Sequence, residues 1–280
     1  MAVSHSCGGD CGSCQEQCSS RQPESLIEPT GDYNHIRHVL AVVSGKGGVG
    51  KSMVTSLLAV ALRRQGYSVG ILDADITGPS VPKSFGVKSR AMQSEIGILP
   101  AETETGIKII SVNMMLESAE APVIWRGPVI AGAVKQFWHD VVWGDLDYLL
   151  IDCPPGTGDV PLTIFQSIPL DAAIVVTSPQ DLVSLIVKKA VNMANMMNIP
   201  VLGTVENMSY FRCPDCGKEH RIFGDTSADP AETGIPLLGR LPIDPDLARM
   251  IDNGAIEKVR DGFLDDAVGL IAEKFPVTAE

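Results

Sequence analysis

The chain has 280 residues, of which 45% are hydrophobic and 20% are charged, and its formal net charge is −12. This composition supplies a large apolar core, and no run of about 18 apolar residues indicates a membrane-spanning helix. The negative charge argues against a surface that neutralises nucleic-acid phosphates. Because residues 1–10 also lack the features of a secretory signal, we expect a soluble, cytoplasmic protein that binds neither nucleic acid nor membranes.

Two parts of different composition follow each other along the chain. Residues 1–35 are rich in Gly, Ser, Gln and Cys and contain few large apolar residues, so we expect a short disordered tail. In residues 36–280, apolar runs alternate with helical patterns, which predicts an α/β domain with a doubly wound, mostly parallel sheet. The predicted strands are 39–43, 68–73, 107–112, 148–152, 172–177, 201–206 and 237–241, and the predicted helices are 51–65, 128–142, 182–197, 245–253 and 263–275.

A phosphate-binding loop is predicted where the first strand leads into the first helix. Its residues are Gly45, Lys46, Gly47, Gly48, Val49, Gly50, Lys51, Ser52 and Met53. Glycines allow backbone N–H groups to approach phosphates, and the helix N-terminus adds a positive partial charge. We expect Lys51 to reach the β- and γ-phosphates of ATP and the Ser52 hydroxyl to bind Mg²⁺. An ordinary Gly-rich turn is the alternative.

Aspartates follow two predicted strands, at the sheet edge where open α/β proteins bind ligands. We expect Asp75 to orient the attacking water and Asp73 to support that water or Mg²⁺, although the sequence leaves this division open. Asp152 ends a Walker B strand and is expected in the Mg²⁺ shell through water. The turn after it suits a switch that senses the γ-phosphate through the Gly156 N–H. The alternative for Asp73 and Asp152 is that they cap strand ends.

Cys213 and Cys216 form a CxxC pair next to Gly217. The pair supplies two thiolates, whereas a tetrahedral metal or a 4Fe–4S cluster takes four ligands. Because no second CxxC lies nearby, a symmetric dimer with one pair per subunit is the simplest solution. A zinc bridge is the alternative, since this spacing does not distinguish zinc from iron.

A second group of cysteines lies in the tail, at Cys7, Cys11, Cys14 and Cys18. In a chain that is not secreted, such grouping favours metal or cluster ligation over disulfides. We expect a second 4Fe–4S cluster here, with zinc or unligated thiols as alternatives. Cys153, within the switch segment, is interpreted as a small buried residue.

Five strings together resemble the Mrp/ApbC/NBP family of iron-sulfur cluster carrier ATPases, a deviant Walker A family related to MinD and ParA. The strings are residues 45–52, 73–80, 125–128, 152–159 and 206–216, and the resemblance extends over about residues 36–275. It implies a homodimer with ATP or ADP between its subunits and slow ATP hydrolysis. It also implies a bridging 4Fe–4S cluster on Cys213 and Cys216, which is passed to apo iron-sulfur proteins.

The resemblance implies roles for single residues as well. Lys46 is expected to cross the dimer interface to the nucleotide of the partner subunit; a solvated loop lysine is the alternative. Asn207 is expected to contact adenine, and the loop at Pro242 and Asp244 to wall the base. The spacing of the tail cysteines is tighter than in the eukaryotic scaffold pattern, which leaves the role of the tail open.

Two other functions compete with cluster transfer. A partition or positioning ATPase of the ParA or MinD kind shares the Lys46 loop, but the C-terminal residues form no basic amphipathic helix for membrane attachment. A regulatory ATPase whose cysteines hold structural zinc is the second. The sequence favours an ATP-dependent iron-sulfur cluster carrier over both.

Overall fold

The computed structural model describes residues 26–75, 80–115, 127–179, 183–224 and 234–277. The four tail cysteines and parts of two of the quoted strings, at residues 76–79 and 125–126, lie outside these ranges. The strands are β1 Asn34–Ser44, β2 Val69–Asp73, β3 Met92–Ser94, β4 Gly97–Leu99, β5 Ala101–Glu102, β6 Lys108–Ser111, β7 Gly144–Asp152, β8 Ala172–Thr177, β9 Val201–Arg212, β10 Glu219–His220 and β11 Leu237–Pro242. The helices are α1 Lys51–Arg64, α2 Ser80–Ser84, α3 Gly127–Asp140, α4 Asp159–Ser167, α5 Val183–Met196, α6 Pro245–Asp252 and α7 Asp265–Lys274.

The described strands form a nine-stranded sheet and a separate hairpin of β3 and β4. The order in the large sheet is β10-β9-β8-β1-β7-β2-β6-β5, and β11 also pairs with β9. Seven strands run parallel to one another: β9, β8, β1, β7, β2, β6 and β11. The two remaining strands are antiparallel to their partners, β10 to β9 and β5 to β6. The predicted fold class, a mostly parallel α/β sheet, is confirmed.

Among the strands that are longer than predicted, β1 and β9 exceed the prediction most. β1 begins at Asn34, and β9 continues to Arg212. The additional segments, NHIRH and NMSYFR, contain polar residues and therefore lack the continuous apolar run that identified the other strands. They are strands because neighbouring strands pair with them, which the local sequence does not show.

Two apolar layers cover the sheet. On one face, α1, α6 and α7 pack with the side chains of Leu40, Val42 and Leu150 in one buried cluster. On the other face, α3, α4 and α5 pack with Ala41 and Ile151. Burial of each large apolar side chain contributes about 1.5–3 kcal/mol to the stability of the fold. The strands that carry the polar residues at their ends are therefore held in place by a well-packed core. None of the described helices is long and apolar enough to cross a lipid bilayer.

The segment before β1 contacts two helices. The Glu28 N–H donates to the Ser167 carbonyl at 2.8 Å, and Trp138 Nε1 donates to the Glu28 carbonyl at 3.0 Å. Lys135 Nζ lies 2.9 Å from Glu28 Oε1. Residues 26–33 thus contact the domain although their composition assigned them to the tail; the boundary between tail and domain stays a prediction.

Asn34 fastens the start of β1 to the turn between α3 and β7. Its Nδ2 donates to the Val141 carbonyl at 2.8 Å, and its Oδ1 accepts from the N–H groups of Trp143 at 2.7 Å and Gly144 at 3.3 Å. Because truncation leaves buried polar groups without partners, we expect Asn34→Ala to lower the free energy of unfolding by about 2–3 kcal/mol in urea titrations. His35→Ala, at the exposed neighbouring position, is the control. An effect no larger than that of the control would contradict this role.

Candidate functional site

The predicted phosphate loop lies between β1 and α1, at the carboxyl edge of the sheet. Gly48 and Gly50 have φ values of 82° and 80°, in the left-handed region that favours glycine. A Cβ at Gly50 would overlap Nδ2 of Asn207, whereas nothing lies within 4 Å of a Cβ placed at Gly48. The loop is therefore packed against Asn207 on one side and open at Gly48, as a cradle for phosphate oxygens requires.

A cavity of about 370 Å³ opens over this loop. Its lining consists of Ser44, loop residues 46–53, and side chains from four other segments: Asp75, Ser80, Ser84, Pro155 and Ile251. The fold thus brings Lys46, Lys51, Ser52, Met53 and Asp75 together around one space. The other predicted nucleotide-binding residues are not part of this lining: Gly45, Asp152, Gly156, Asn207, Pro242 and Asp244.

Lys51 is buried against carboxylates. Its Nζ lies 2.7 Å from Asp152 Oδ1 and 3.5 Å from Asp75 Oδ2. Burial by itself lowers the pKa of Lys51, but the charges of Asp152 and Asp75 outweigh burial, so the pKa is raised above its ordinary value. Lys51 is therefore a cation at neutral pH, and its ammonium is paired with Asp152.

Asp152 also accepts hydrogen bonds from two hydroxyls. Ser52 Oγ donates to Oδ2 at 2.5 Å, and Thr55 Oγ1 donates to Oδ1 at 2.9 Å. The two residues predicted to hold Mg²⁺, Ser52 and Asp152, are thus in direct contact. The sequence analysis missed Thr55. Its position four residues after Lys51, on the same face of α1, is the signal that identifies it.

Asp73 is fully buried beneath the cavity. Its Oδ1 accepts from the Asp75 N–H at 3.0 Å, and its Oδ2 accepts from the Ser111 hydroxyl at 3.1 Å. Burial raises the pKa of Asp73 well above its ordinary value, and the charge of Asp152, opposite it on β7, raises it further. Asp75 lines the cavity and Asp73 does not, an arrangement that favours Asp75 as the group facing a substrate water.

The charges fit a divalent cation. In the described residues, the carboxylates of Asp73, Asp75 and Asp152 surround the buried Lys51. A hydroxyl beside a carboxylate, as at Ser52 and Asp152, is a donor set that hard cations such as Mg²⁺ prefer. The residues therefore suit a Mg²⁺-nucleotide.

The predicted switch segment contacts the loop. The Gly156 N–H donates to the Ser44 carbonyl at 2.8 Å. The Gly156 N–H thus bonds to the residue that precedes the phosphate loop, and its role in sensing a γ-phosphate stays a prediction. Cys153 is completely buried, and burial raises the pKa of its thiol; its interpretation as a small buried residue is confirmed.

Asn207 has an unused acceptor. Its Nδ2 donates to the Val49 carbonyl at 2.8 Å, but its buried Oδ1 has no hydrogen-bond partner within the described part of the chain. A buried acceptor without a partner is unfavourable, and an amino group of a nucleobase would satisfy it. This supports the adenine contact expected for Asn207.

The loop after β11 is tied to β9 and to α6. Pro242 pairs with Tyr210, whose carbonyl accepts from the Ile243 N–H at 2.7 Å. Asp244 is the N-cap of α6 and accepts from the Asp246 N–H at 2.8 Å. The sequence analysis missed this capping role, although an aspartate followed by proline is a common helix start.

The CxxC pair forms the turn between β9 and β10. The Cys213 N–H donates to the Lys218 carbonyl and the Gly217 N–H donates to the Cys213 carbonyl, both at 2.9 Å. Cys213 is half-buried, Cys216 is exposed, and both thiols are free. Hydrogen bonds from the N–H groups of Cys216 and Asp215 and from the Cys216 side chain lower the pKa of Cys213. These hydrogen bonds favour the thiolate form of Cys213.

The described residues around the pair provide no complete metal site. Within the described ranges, no group of three or more His, Cys, Asp or Glu residues is arranged to hold a metal ion. Cys213 and Cys216 thus supply two thiols, and a tetrahedral metal or a 4Fe–4S cluster takes four ligands. The tail cysteines at positions 7, 11, 14 and 18 lie outside the described residues.

Comparisons with known proteins agree with this geometry. The family model described as NUBPL iron-transfer P-loop NTPase matches residues 35–275. An iron-sulfur cluster carrier protein of Clostridium perfringens is 47% identical and covers 89% of this chain and 94% of its own length. One of Methanocaldococcus jannaschii is also 47% identical, over 89% of each chain.

Solved structures extend the comparison. A nucleotide-binding protein of Archaeoglobus fulgidus in complex with ADP matches with a TM-score of 0.74 at 43% identity, covering 87% of this chain and 93% of that one. The cell division ATPase MinD of Pyrococcus furiosus matches with a TM-score of 0.61 at 21% identity, covering 85% and 98%. At that identity the second match shows the shared fold alone.

The cysteines differ in pKa, and their alkylation should differ accordingly. In reduced, metal-free protein we expect iodoacetamide to modify Cys213 at a lower pH than a free cysteine, because thiolate is the reactive form. Cys153 should stay unmodified until urea unfolds the chain, since it is buried and its pKa is raised. Peptide mass spectrometry over a pH series measures both. Equal rates at Cys153 and Cys213 in the folded protein would contradict the assignment.

Proposed function

The chain belongs to the family of NUBPL iron-transfer P-loop NTPases, and on this premise we propose that it is an ATP-dependent iron-sulfur cluster carrier. Its cargo is a 4Fe–4S cluster, which it binds and transfers to apo iron-sulfur proteins. One observation carries the proposal: β9 holds Asn207 against the phosphate loop and continues directly into the accessible Cys213–Cys216 turn. Relatives named iron-sulfur cluster carrier proteins support it.

We assign the steps of ATP hydrolysis to the residues around the cavity. Lys51 exchanges Asp152 for the β- and γ-phosphates, and backbone N–H groups of the loop at Gly47 and Gly48 bind phosphate oxygens. Ser52 would hold Mg²⁺ and Asp152 would do so through water, and the ion would supply positive charge that neutralises the phosphates. Asp75 orients the attacking water. Turnover is slow because the nucleotide times conformational states.

The cluster site is completed by a second copy of the chain. Each subunit contributes the thiolates of Cys213 and Cys216, so two copies supply the four ligands that a 4Fe–4S cluster takes. A cluster bound between subunits at an exposed turn is accessible to a recipient protein. Lys46, which lines the cavity, reaches across the same interface to the nucleotide of the partner subunit.

We further propose that the cysteine-rich part of the predicted tail, residues 1–35, acts separately from the ATPase domain, whereas residues 26–34 pack against that domain. The tail cysteines at positions 7, 11, 14 and 18 bind a second 4Fe–4S cluster. The grouping of four cysteines in one short segment supports iron-sulfur ligation, and zinc or unligated thiols are the alternatives.

Anaerobic reconstitution with iron and sulfide tests cluster carriage. A variant with the four tail cysteines replaced by serine isolates the shared site. We expect this variant to form a brown dimer with about two irons per chain, because two chains share four irons. Iron and sulfide analysis with sedimentation measures this.

Replacement of the turn cysteines provides the control. In the background with serine at the four tail cysteine positions, Cys213→Ala and Cys216→Ala should each lose the chromophore and the iron. Retention of the cluster in both, or a protein that binds only zinc at this turn under anoxic conditions, would refute cluster carriage in favour of the zinc-stabilised regulatory ATPase.

Lys46 and Lys51 are predicted to serve the same nucleotide from different subunits. Lys51→Ala should abolish ATP hydrolysis, and Lys46→Ala should lower kcat by about a hundredfold or more, as for loss of an arginine finger. A mixed dimer of the two variants contains one intact site, since one subunit supplies Lys51 and the other supplies Lys46.

Mixing the two inactive proteins should therefore restore about a quarter of wild-type activity when subunits exchange freely. Phosphate release measures the recovery, and Lys188→Ala, at an exposed position on α5, is the control for a lysine outside the site. Normal turnover in Lys46→Ala, or no recovery on mixing, would remove the cross-subunit role.

A further inference from the structure

Strand β9 is irregular between its nucleotide-facing residue and its cysteine turn. Met208, immediately after Asn207, has a φ of 57°, which is uncommon for a residue other than glycine. The pairing of β9 with β11 also shifts register between Arg240 and Pro242. The shift places a bulge in β9 on the direct covalent path from Asn207 to Cys213.

The register values locate the bulge. Glu206 lies opposite Arg240, and Tyr210 lies opposite Pro242. β9 therefore advances four residues while β11 advances two. Bulges redirect a strand and are typical of sites where a side chain must be aimed.

A polar cluster pins this bulge, and we name its members Glu206, Ser209 and Arg240 the Glu206 clasp. The Ser209 hydroxyl donates to Glu206 Oε2 at 2.9 Å, and Arg240 Nε donates to the same oxygen at 3.0 Å. The Glu206 side chain is only 4% exposed. A buried carboxylate needs such charge-assisted bonds, so the clasp fixes both ends of the bulge and its partner strand.

Beyond the bulge, the chain is firmly connected to the cysteine turn. The Tyr210 carbonyl accepts from the Ile243 N–H at 2.7 Å. Arg212 pairs with Glu219 at 2.9 Å across the base of the hairpin, and its guanidinium lies 5.9 Å from the centre of the Tyr210 ring. These contacts connect the bulge to the hairpin that carries Cys213.

We infer that the Glu206 clasp is a positioning element that sets the cysteine turn relative to the phosphate loop, so that nucleotide bound beside Asn207 alters the accessibility and bonding of Cys213. The inference rests on the proposed function, for which it supplies the connection between ATP and cargo. Glu206, Ser209 and Arg240 act through the bulge rather than by touching nucleotide or cluster. A two-state element biased from both sites is what such coupling requires.

The test measures the alkylation rate of Cys213 in metal-free protein, with and without saturating Mg²⁺–ADP. In the wild type we expect ADP to change this rate by at least about fivefold, the lower end of typical coupling between sites. Ser209→Ala and Arg240→Gln should reduce the change to less than about twofold. Affinity for ADP, measured by calorimetry, should stay within about twofold of the wild type because the clasp residues act through the bulge and make no proposed contact with nucleotide.

Two further variants separate positioning from general stability. Arg240→Lys keeps a cation beside Glu206 and should restore most of the ADP effect. Arg249→Gln removes an exposed ion pair with Asp246 on α6, which leaves β9 untouched, so its ADP effect should equal that of the wild type. A clasp with only a structural role would lower thermal stability in Arg240→Gln while leaving the ADP effect unchanged.

The inference is overturned if ADP leaves Cys213 reactivity unchanged in the wild type, or if Arg240→Gln and Ser209→Ala bind ADP and retain the full change. The assay contains no iron or sulfide, so its failure is distinct from failure of cluster carriage, which the reconstitution decides. A further measurement uses protein loaded with a cluster and compares the rate of cluster transfer with ATP to the rate without ATP. Ser209→Ala and Arg240→Gln should lower this ratio by about fivefold, while the cluster content stays unchanged.

Discussion

The ion pair between Lys51 and Asp152 is the interaction on which the site depends. It joins the first residue of α1 to the last residue of β7 at the centre of the sheet, and Asp152 also gathers the hydroxyls of Ser52 and Thr55. Loss of one partner of a buried pair costs about 3–5 kcal/mol, because the remaining charge is left without compensation. The pair therefore keeps the site assembled without nucleotide and provides the lysine that a phosphate can take over.

The proposed chemistry is divided between two regions because their physical requirements differ. Nucleotide hydrolysis needs charges held in a rigid, partly dry setting, which the carboxyl ends of buried parallel strands provide. Cluster transfer needs thiolates that a second protein can reach, and the hairpin beyond β9 offers an exposed Cys216. The fold is shared with MinD, so the fold alone does not specify cargo, and in our proposal the cysteine turn does.

The sequence predicted those features that depend on neighbours along the chain. Continuous apolar runs identified the central strands, and glycine spacing identified the loop between β1 and α1. The metal half-site that the CxxC spacing indicates stays a prediction. These signals are local because backbone conformation and ligand spacing are set within a few residues. The polar ends of β1 and β9 escaped this reasoning because their strand conformation comes from pairing with β7, β10 and β11.

The tertiary structure decided which residues separated in sequence come together. It places Thr55 on Asp152, covers Asp73 so that Asp75 faces the cavity, and brings Arg240 to Glu206. These contacts depend on the order of strands in the sheet, and no local pattern encodes that order. The amino-acid sequence by itself thus determined the chemical groups and their local geometry. Burial and long-range packing alone assigned partners to each charge, because the strength of an electrostatic contact depends on distance and exclusion of water.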